Sequence, residues 1–491
     1  MRTVKFVSPH SVVFGLACYA LGSLTLSGCP RSELSNGEDT KGSTEVDAAY
    51  SQEVFDVGVQ LQLAKACDDG NDGPWDGCEG GKASEFSVDP EPPVGGYRPP
   101  VVASLSKGSY AVVSSRYSVA GEPSGPSDLA GSFFDSESGT WTNSEIFSNS
   151  YNLKGGLTGL ENEHYVVAWI GSAEEETEAK AIHVRFVESD GAWKTDDILL
   201  AQPNPEIGPR RFTGTAGTTG GQAVVAWLER NAYLASLKSE ECIHGPASKQ
   251  AVFRLVGGDY LSPKYVVSGA IVDSPLDISI ASNDEIFMFV WADVEYELST
   301  EMGCYVWTAS ELRGSTFSFD GDILVDQFAI HPKNGPPSAG RLWLTALADG
   351  SFILASGADK HVHNGVEEWG ISLRKILPDG TLVHDTFLPL SPGEGVGRLD
   401  VAGLTDGSLL LSWFASSVEV NPIFGRTFTA DLMPTSEKIT ITAPNTWAES
   451  VSVAPLPDGG AIVTWLSLDE DERNGIMAVL LNADLEKVWY Q

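Results

Sequence analysis

The chain has 491 residues, and its 67 acidic against 31 basic side chains give a formal net charge of -36. So acidic a surface cannot replace the counterions of a phosphate backbone, which excludes nucleic-acid partners. It is repelled by anionic headgroups as well, so attachment to a membrane has to come from something other than surface charge.

In chain order, the first feature is an address. Arg2 and Lys5 precede an apolar region that Ser, Pro, Gly and His interrupt, too short and too broken for a spanning helix. It ends in Leu26-Ser27-Gly28-Cys29, which resembles the lipobox of bacterial lipoproteins. There, small residues fit the signal-peptidase groove and the cysteine receives a lipid. The resemblance implies a signal peptide over 1–28, lipidation at Cys29, and a place in the cell envelope outside the cytoplasm, in the periplasm or at the cell surface. Loss of 1–28 removes Arg2 and Lys5 and no acid, so the charge of -36 becomes -38. This reads as solubility and self-repulsion outside the cell.

Cysteine usage agrees with export. Beyond Cys18 and Cys29 there remain Cys67, Cys78, Cys242 and Cys304, an even number that predicts two disulfides in an oxidising compartment. Cys67 and Cys78 are local partners and Cys242 and Cys304 pair by elimination, with the connectivity otherwise open. Residues 29–96 read as an acidic tether and spacer with Ser, Gly and Pro clusters, its first part too polar to fold by itself. Inside it, Cys67-Asp68-Asp69-Gly70-Asn71 and Asp76-Gly77-Cys78 resemble the short cysteine-rich repeat of exported myxobacterial proteins, without the cysteines that flank that core in the family. Asp68, Asp69 and Asn71 offer oxygen ligands of the kind Ca²⁺ takes. The Asp-x-Asp-x-Asp-Gly spacing is absent, however, and the stretch reads as a disulfide-closed acidic knuckle.

From residue 97 to the end the chain repeats. The turns Lys107-Gly108, Asn162-Glu163, Gly220-Gly221, Asp284-Glu285, Asp349-Gly350, Asp406-Gly407 and Asp458-Gly459 each lead into a short apolar run. At its far end stand Ser114, Trp169, Trp227, Trp291, Ser356, Trp413 and Trp465. Successive turns lie 52 to 65 residues apart by subtraction, one supersecondary unit used seven times. A first strand precedes each turn and a third follows a longer loop: Leu129 to Phe134, Ile182 to Val187, Ala251 to Val256, Tyr305 to Ala309, Ile371 to Leu377, Phe424 to Thr429 and Ile476 to Leu481. Polar turns such as Ser189-Asp190-Gly191 and Pro378-Asp379-Gly380 then open a fourth. Four antiparallel strands in each of seven units predict an all-β, seven-bladed β-propeller of monomeric habit. Two segments compete to close the ring, one near Glu85 to Val88 and one around Lys487 to Tyr490.

Ala454-Pro455-Leu456-Pro457-Asp458-Gly459-Gly460, ending in Trp465, resembles a propeller-like repeat family of bacterial surface and secreted proteins. That resemblance implies fold and exposure rather than chemistry. The loops between second and third strands, among them Asp293 to Gly303 and Ala358 to Glu368, share one face and form the expected interaction surface. In the second of these, His361 and His363 are metal-ligand types that lack a predicted third ligand. The Trp set reads as packing between blades rather than a sugar-stacking ring. Ser136-Glu137-Ser138-Gly139-Thr140-Trp141 and Ser189-Asp190-Gly191-Ala192-Trp193 are similar to sialidase Asp-boxes but break their spacing. No nucleophile elbow, phosphate loop or zinc motif is present. The sequence therefore predicts no enzyme and no cofactor beyond Ca²⁺, but a lipid-anchored binding or scaffold module that meets a protein or glycan on the long-loop face. The alternative is a hydrolase or lyase acting on polysaccharide from a central pocket; conserved carboxylate and Arg pairs facing the axis would favour it, and an axis lined by small and apolar residues would favour binding.

Overall fold

A four-stranded antiparallel sheet forms from each repeat because the turn residues reverse the chain while the apolar runs, covered on both sides, demand neighbours on both faces. The computed structural model describes residues 78–79, 82–83 and 85–88 and, from 99 to 487, all but 118–125, 137–139, 152–155, 173–179, 203–210, 218–219, 231–248, 259, 273–277, 300–303, 332–341, 364–365, 392–393, 417–420, 444–445 and 469–473. The described elements are strands, and they make the seven-bladed β-propeller that the repeat predicts.

Blade 1 runs Val101–Ser104, Tyr110–Tyr117, Pro126–Asp135 and Thr140–Tyr151, counted from the axis outwards. Blade 2 is Gly156–Leu160, His164–Ser172, Lys180–Glu188 and Ile198–Ala201. In blade 3, Arg211–Gly217, Ala223–Arg230 and Lys249–Gly257 are followed by two pieces, Tyr260–Leu261 and Tyr265–Val272, that share the outer position. Blade 4 is Ile278–Ser282, Ile286–Ser299, Cys304–Ser318 and Ile323–His331; blade 5 is Leu342–Ala346, Phe352–His363, Val366–Ile376 and Leu382–Pro389. Blade 6 is Gly395–Gly403, Leu409–Ser416, Ile423–Phe428 and Ile439–Thr440. Blade 7 takes Trp447–Pro455, Ala461–Leu468 and Asn474–Leu481 from the C-terminal end and Glu85–Ser87 from the N-terminal side.

That last strand decides the closure. Glu85, Phe86 and Ser87 pair with Val479, Ala478 and Met477, and the buried Val88 continues the ladder with its N–H on the Ile476 carbonyl at 2.8 Å. The Ser132 hydroxyl of blade 1 then donates to the Val88 carbonyl at 3.3 Å, tying first blade to last. The propeller thus draws a strand from the stretch read as spacer. Lys487 makes a single bridge to Leu481, and residues 488–491 lie outside those described.

Two loops of the sequence reading are largely strand. In blade 4 the second and third strands stay paired out to Ser299 and Cys304, so Tyr305 to Ala309 is the distal part of a strand whose buried end is Ser315 to Phe317. Residues 358–363 and 366–368 likewise extend the second and third strands of blade 5. β-Pairing continues along both hairpins through one register shift each, at Glu295/Tyr296 and Ser356/Asp359.

The repeated Trp packs between blades, as its apolar neighbours predict. Trp169, Trp227, Trp291, Trp413 and Trp465 are fully buried, each against the preceding blade: Trp169 with Phe133 of blade 1, Trp227 with Phe186 of blade 2, Trp291 with Phe253 of blade 3. Burying an indole of this size between two sheets is a large share of each interface.

Candidate functional site

The two ends of the propeller axis differ. The first strands of successive blades pack side by side around it, and at the short-turn end they carry Ser104, Gly159, Gly217, Ser282, Ala346 and Gly403. A Cβ at Gly159 would stand 2.1 Å from the Ser104 carbonyl oxygen, and one at Gly403 2.4 Å from that of Ala346. Only glycine admits such an approach, so here neighbouring first strands meet backbone to backbone. Towards the long-loop end the first strands of blades 6 and 7 run on for 9 residues each. Both slip register at the same relative place, around Gly397 and Glu449. Bulges of this kind re-aim side chains and gather beside functional sites.

Below these bulges lies a belt of side chains that bond the next blade. The Ser279 hydroxyl accepts from Leu344 N at 3.0 Å, joining blade 4 to blade 5, and the Ser452 hydroxyl from Val102 N at 3.3 Å, joining blade 7 to blade 1. Between blades 6 and 7 the same slot holds a carboxylate. Asp400 Oδ2 accepts from Val453 N at 2.9 Å and Oδ1 from Val401 N at 2.8 Å. Burial pushes the Asp400 carboxyl up to about 6, against the lowering influence of those two N–H groups and the Ser452 side chain. Two residues towards the long-loop end on the same strand, and so on the same side of it, comes the half-buried Arg398; Glu449 and Trp447 of blade 7 are exposed nearby along their own strand. A carboxyl that titrates near neutrality, with an Arg on its own strand, is equipped for proton transfer beside a negatively charged group.

A second periodic feature escaped the sequence reading. Arg185, Arg254, Arg374 and Arg426 occupy one position of the third strand, opposite Val167, Val225, Leu354 and Leu411. In blade 2 Arg185 pairs with Asp197 of the outer strand, and in blade 5 Arg374 lies 3.6 Å from Asp385 and donates to the Ser356 hydroxyl at 3.0 Å. Blades 1 and 4 use smaller pairs at the same place, Ser132 with Asn143 at 2.7 Å and Ser315 with Asp326 at 3.3 Å. The signal available in the sequence was an Arg recurring inside an apolar third strand, as in Val184-Arg185-Phe186 and Phe253-Arg254-Leu255.

The broken Asp-box of blade 2 is a turn. Asp190 Oδ1 accepts from Ala192 N at 2.9 Å, Gly191 takes a φ of 88°, and Trp193, 52% exposed, folds under the Arg185 guanidinium at 3.8 Å. On the same side of blade 2, His183 stacks on Trp169 at 5.5 Å, and burial holds its imidazole below the ordinary value. A further charged group spans blades 5 and 6 on the short-turn face, where Lys375 Nζ lies 2.9 Å from Asp349 and 3.4 Å from Asp431. Burial alone would raise the Asp349 carboxyl; the Ser351 and Lys375 donors outweigh it and hold it at about 2. That group has an internal partner for every charge and reads as a clamp.

Cys29, Cys67, Asp68, Asp69, Asn71 and Cys242 lie outside the described residues, and so do the side chains of Cys78, Cys304, His361 and His363. His361 and His363 sit in the second strand of blade 5, opposite Glu368 and Val366. Among the described residues no group of three His, Cys, Asp or Glu is placed to hold a metal ion.

No family model and no curated protein matches the chain. Solved structures do resemble it. A sialidase from Streptococcus pneumoniae aligns over 79% of this chain and 94% of its own at 8% identity and a TM-score of 0.43. An α-L-arabinanase from Penicillium chrysogenum aligns over 83% and 99% at 12% identity and 0.43. A polysaccharide lyase, an ulvan lyase, aligns over 81% and 96% at 11% identity and 0.46. These similar structures are enzymes, and the expectation that the chain is no enzyme is withdrawn, because the lack of a linear motif is no ground for excluding catalysis. The likeness itself speaks to the fold alone, and no reaction passes from those proteins to this one.

Proposed function

We propose that this chain acts on a polysaccharide from the long-loop end of the propeller axis, as a hydrolase or a lyase. The observation that carries this reading is Asp400, a carboxyl at the position where blades 4 and 7 carry Ser279 and Ser452, raised to about 6 and two residues from Arg398. Near neutral pH it exchanges a proton readily, which both glycosidic hydrolysis and β-elimination require. Arg398 holds or neutralises a negative substituent. The reading includes export and anchoring by a lipid on Cys29, supported by Leu26-Ser27-Gly28-Cys29.

The test is a panel of neutral, sulfated and uronate-containing polysaccharides, followed both by new reducing ends and by the ultraviolet absorbance of unsaturated uronates. Cleavage of one class is expected, falling by roughly a hundredfold or more in Asp400→Ser, a change to the residue that blades 4 and 7 carry there. Activity untouched by Asp400→Ser removes the proton-transfer role. Binding without cleavage of any substrate returns the propeller to a recognition module.

A further inference from the structure

We propose that the outer half of blade 3 is a carboxylate-binding site centred on Arg254, separate from the axis. In blade 2 the third-strand Arg meets Asp197 through its Nε, and in blade 5 the Nε of Arg374 faces Asp385. The register of blade 3 puts Lys264 at the corresponding place, one step beyond the Phe253 and Tyr265 pair. A second cation therefore stands where those blades supply an acid.

Lys264 is committed elsewhere. Its Nζ lies 2.6 Å from Glu229 Oε2, while Glu229 Oε1 accepts from the Trp227 indole at 3.0 Å. Among the described residues Arg254 has no hydrogen-bond or ion-pair partner, and its Nε is a buried donor without an acceptor. Arg254 is half-buried on the side of the blade that faces blade 2. Lys264 is 40% exposed, so the site is open to solvent at its rim. Like charges directly opposite on paired strands destabilise the sheet, and an unpaired buried donor costs more still. A guanidinium left without a partner among the described residues holds the edge that a carboxylate fits two-pronged.

Calorimetric titration of the full chain with sodium glucuronate, sodium acetate and sodium phosphate at fixed ionic strength, with glucose as the uncharged control, tests this. Glucuronate and acetate are expected to bind saturably and in competition, glucose not at all. A larger response to glucuronate assigns the carboxylate to a sugar acid, and equal responses assign it to the bare group; either supports the site. Arg254→Gln should weaken binding about tenfold or more, near 1.4 kcal/mol. Lys264→Asp, which supplies the carboxylate internally as blades 2 and 5 do, should abolish it. Saturable carboxylate binding that survives Arg254→Gln, binding of phosphate alone, or no saturable binding to the unaltered chain overturns the proposal. If Lys264→Asp does not fold, Arg254→Gln decides.

Discussion

Blades 2 and 3 share a frame and differ in one charge. Each carries a buried Trp against the preceding blade and an Arg opposite the valine two residues before that Trp. In blade 2 the outer strand answers the Arg with Asp197, and Trp193 covers it. In blade 3 Lys264 takes that place, in the break between the two pieces of the outer strand. The frame sets the stability of a blade, and the outer-strand residue sets whether its Arg is a strut or a receptor.

The comparison is tested most severely through the shared frame. Trp169→Ala and Trp227→Ala should each cost about 3–5 kcal/mol, read as matching shifts of the denaturant midpoint; a clear inequality would mean that the two interfaces are not equivalent. Next comes the proton on the inner ring, where Asp400 departs from Ser279 and Ser452 as Lys264 departs from Asp197. Its folded-state carboxyl is raised from 3.8 to about 6, so its contribution to stability is full below pH 3.8 and is lost as pH rises through 6, up to about 3 kcal/mol. Thermal melts from pH 4 to 8 should show that decline, and Asp400→Ser should flatten it.

Removing the two arginines sharpens the contrast. Arg185→Ala leaves Asp197 without its cation and should cost about 1–3 kcal/mol. Arg254→Ala removes a repulsion with Lys264 and should be nearly neutral or stabilising, by midpoint measurement. The smallest effect lies at the clamp between blades 5 and 6. Asp349 is depressed to about 2, so what it contributes is present above pH 3.8 and lost as pH falls through 2. With Asp349 48% exposed, solvent screens that contribution, and Asp349→Asn should change only the acid limb of the stability profile.

Much of this molecule was legible in the chain. The number of blades, the turns and the buried tryptophans follow from turn chemistry and a Trp repeated at regular distance, both properties of neighbouring residues. Asp349, Asp406 and Asp458 each accept the N–H two residues on, as Asp-Gly turns should. The axial carboxyl was not legible. Asp400 reads as one more acid among 67, and its pKa is raised by burial between blades 6 and 7, which outweighs the lowering N–H bond from Val453. The ring closure was equally hidden, because a strand as short as Glu85–Ser87 has no period of its own and gains one only against Val479, Ala478 and Met477. Local order in this protein was written by residues adjacent in sequence. The closing strand and the proton on the axis were decided only when strands from different repeats met, and the pairing of each Arg by the register of the outer strand in its own blade.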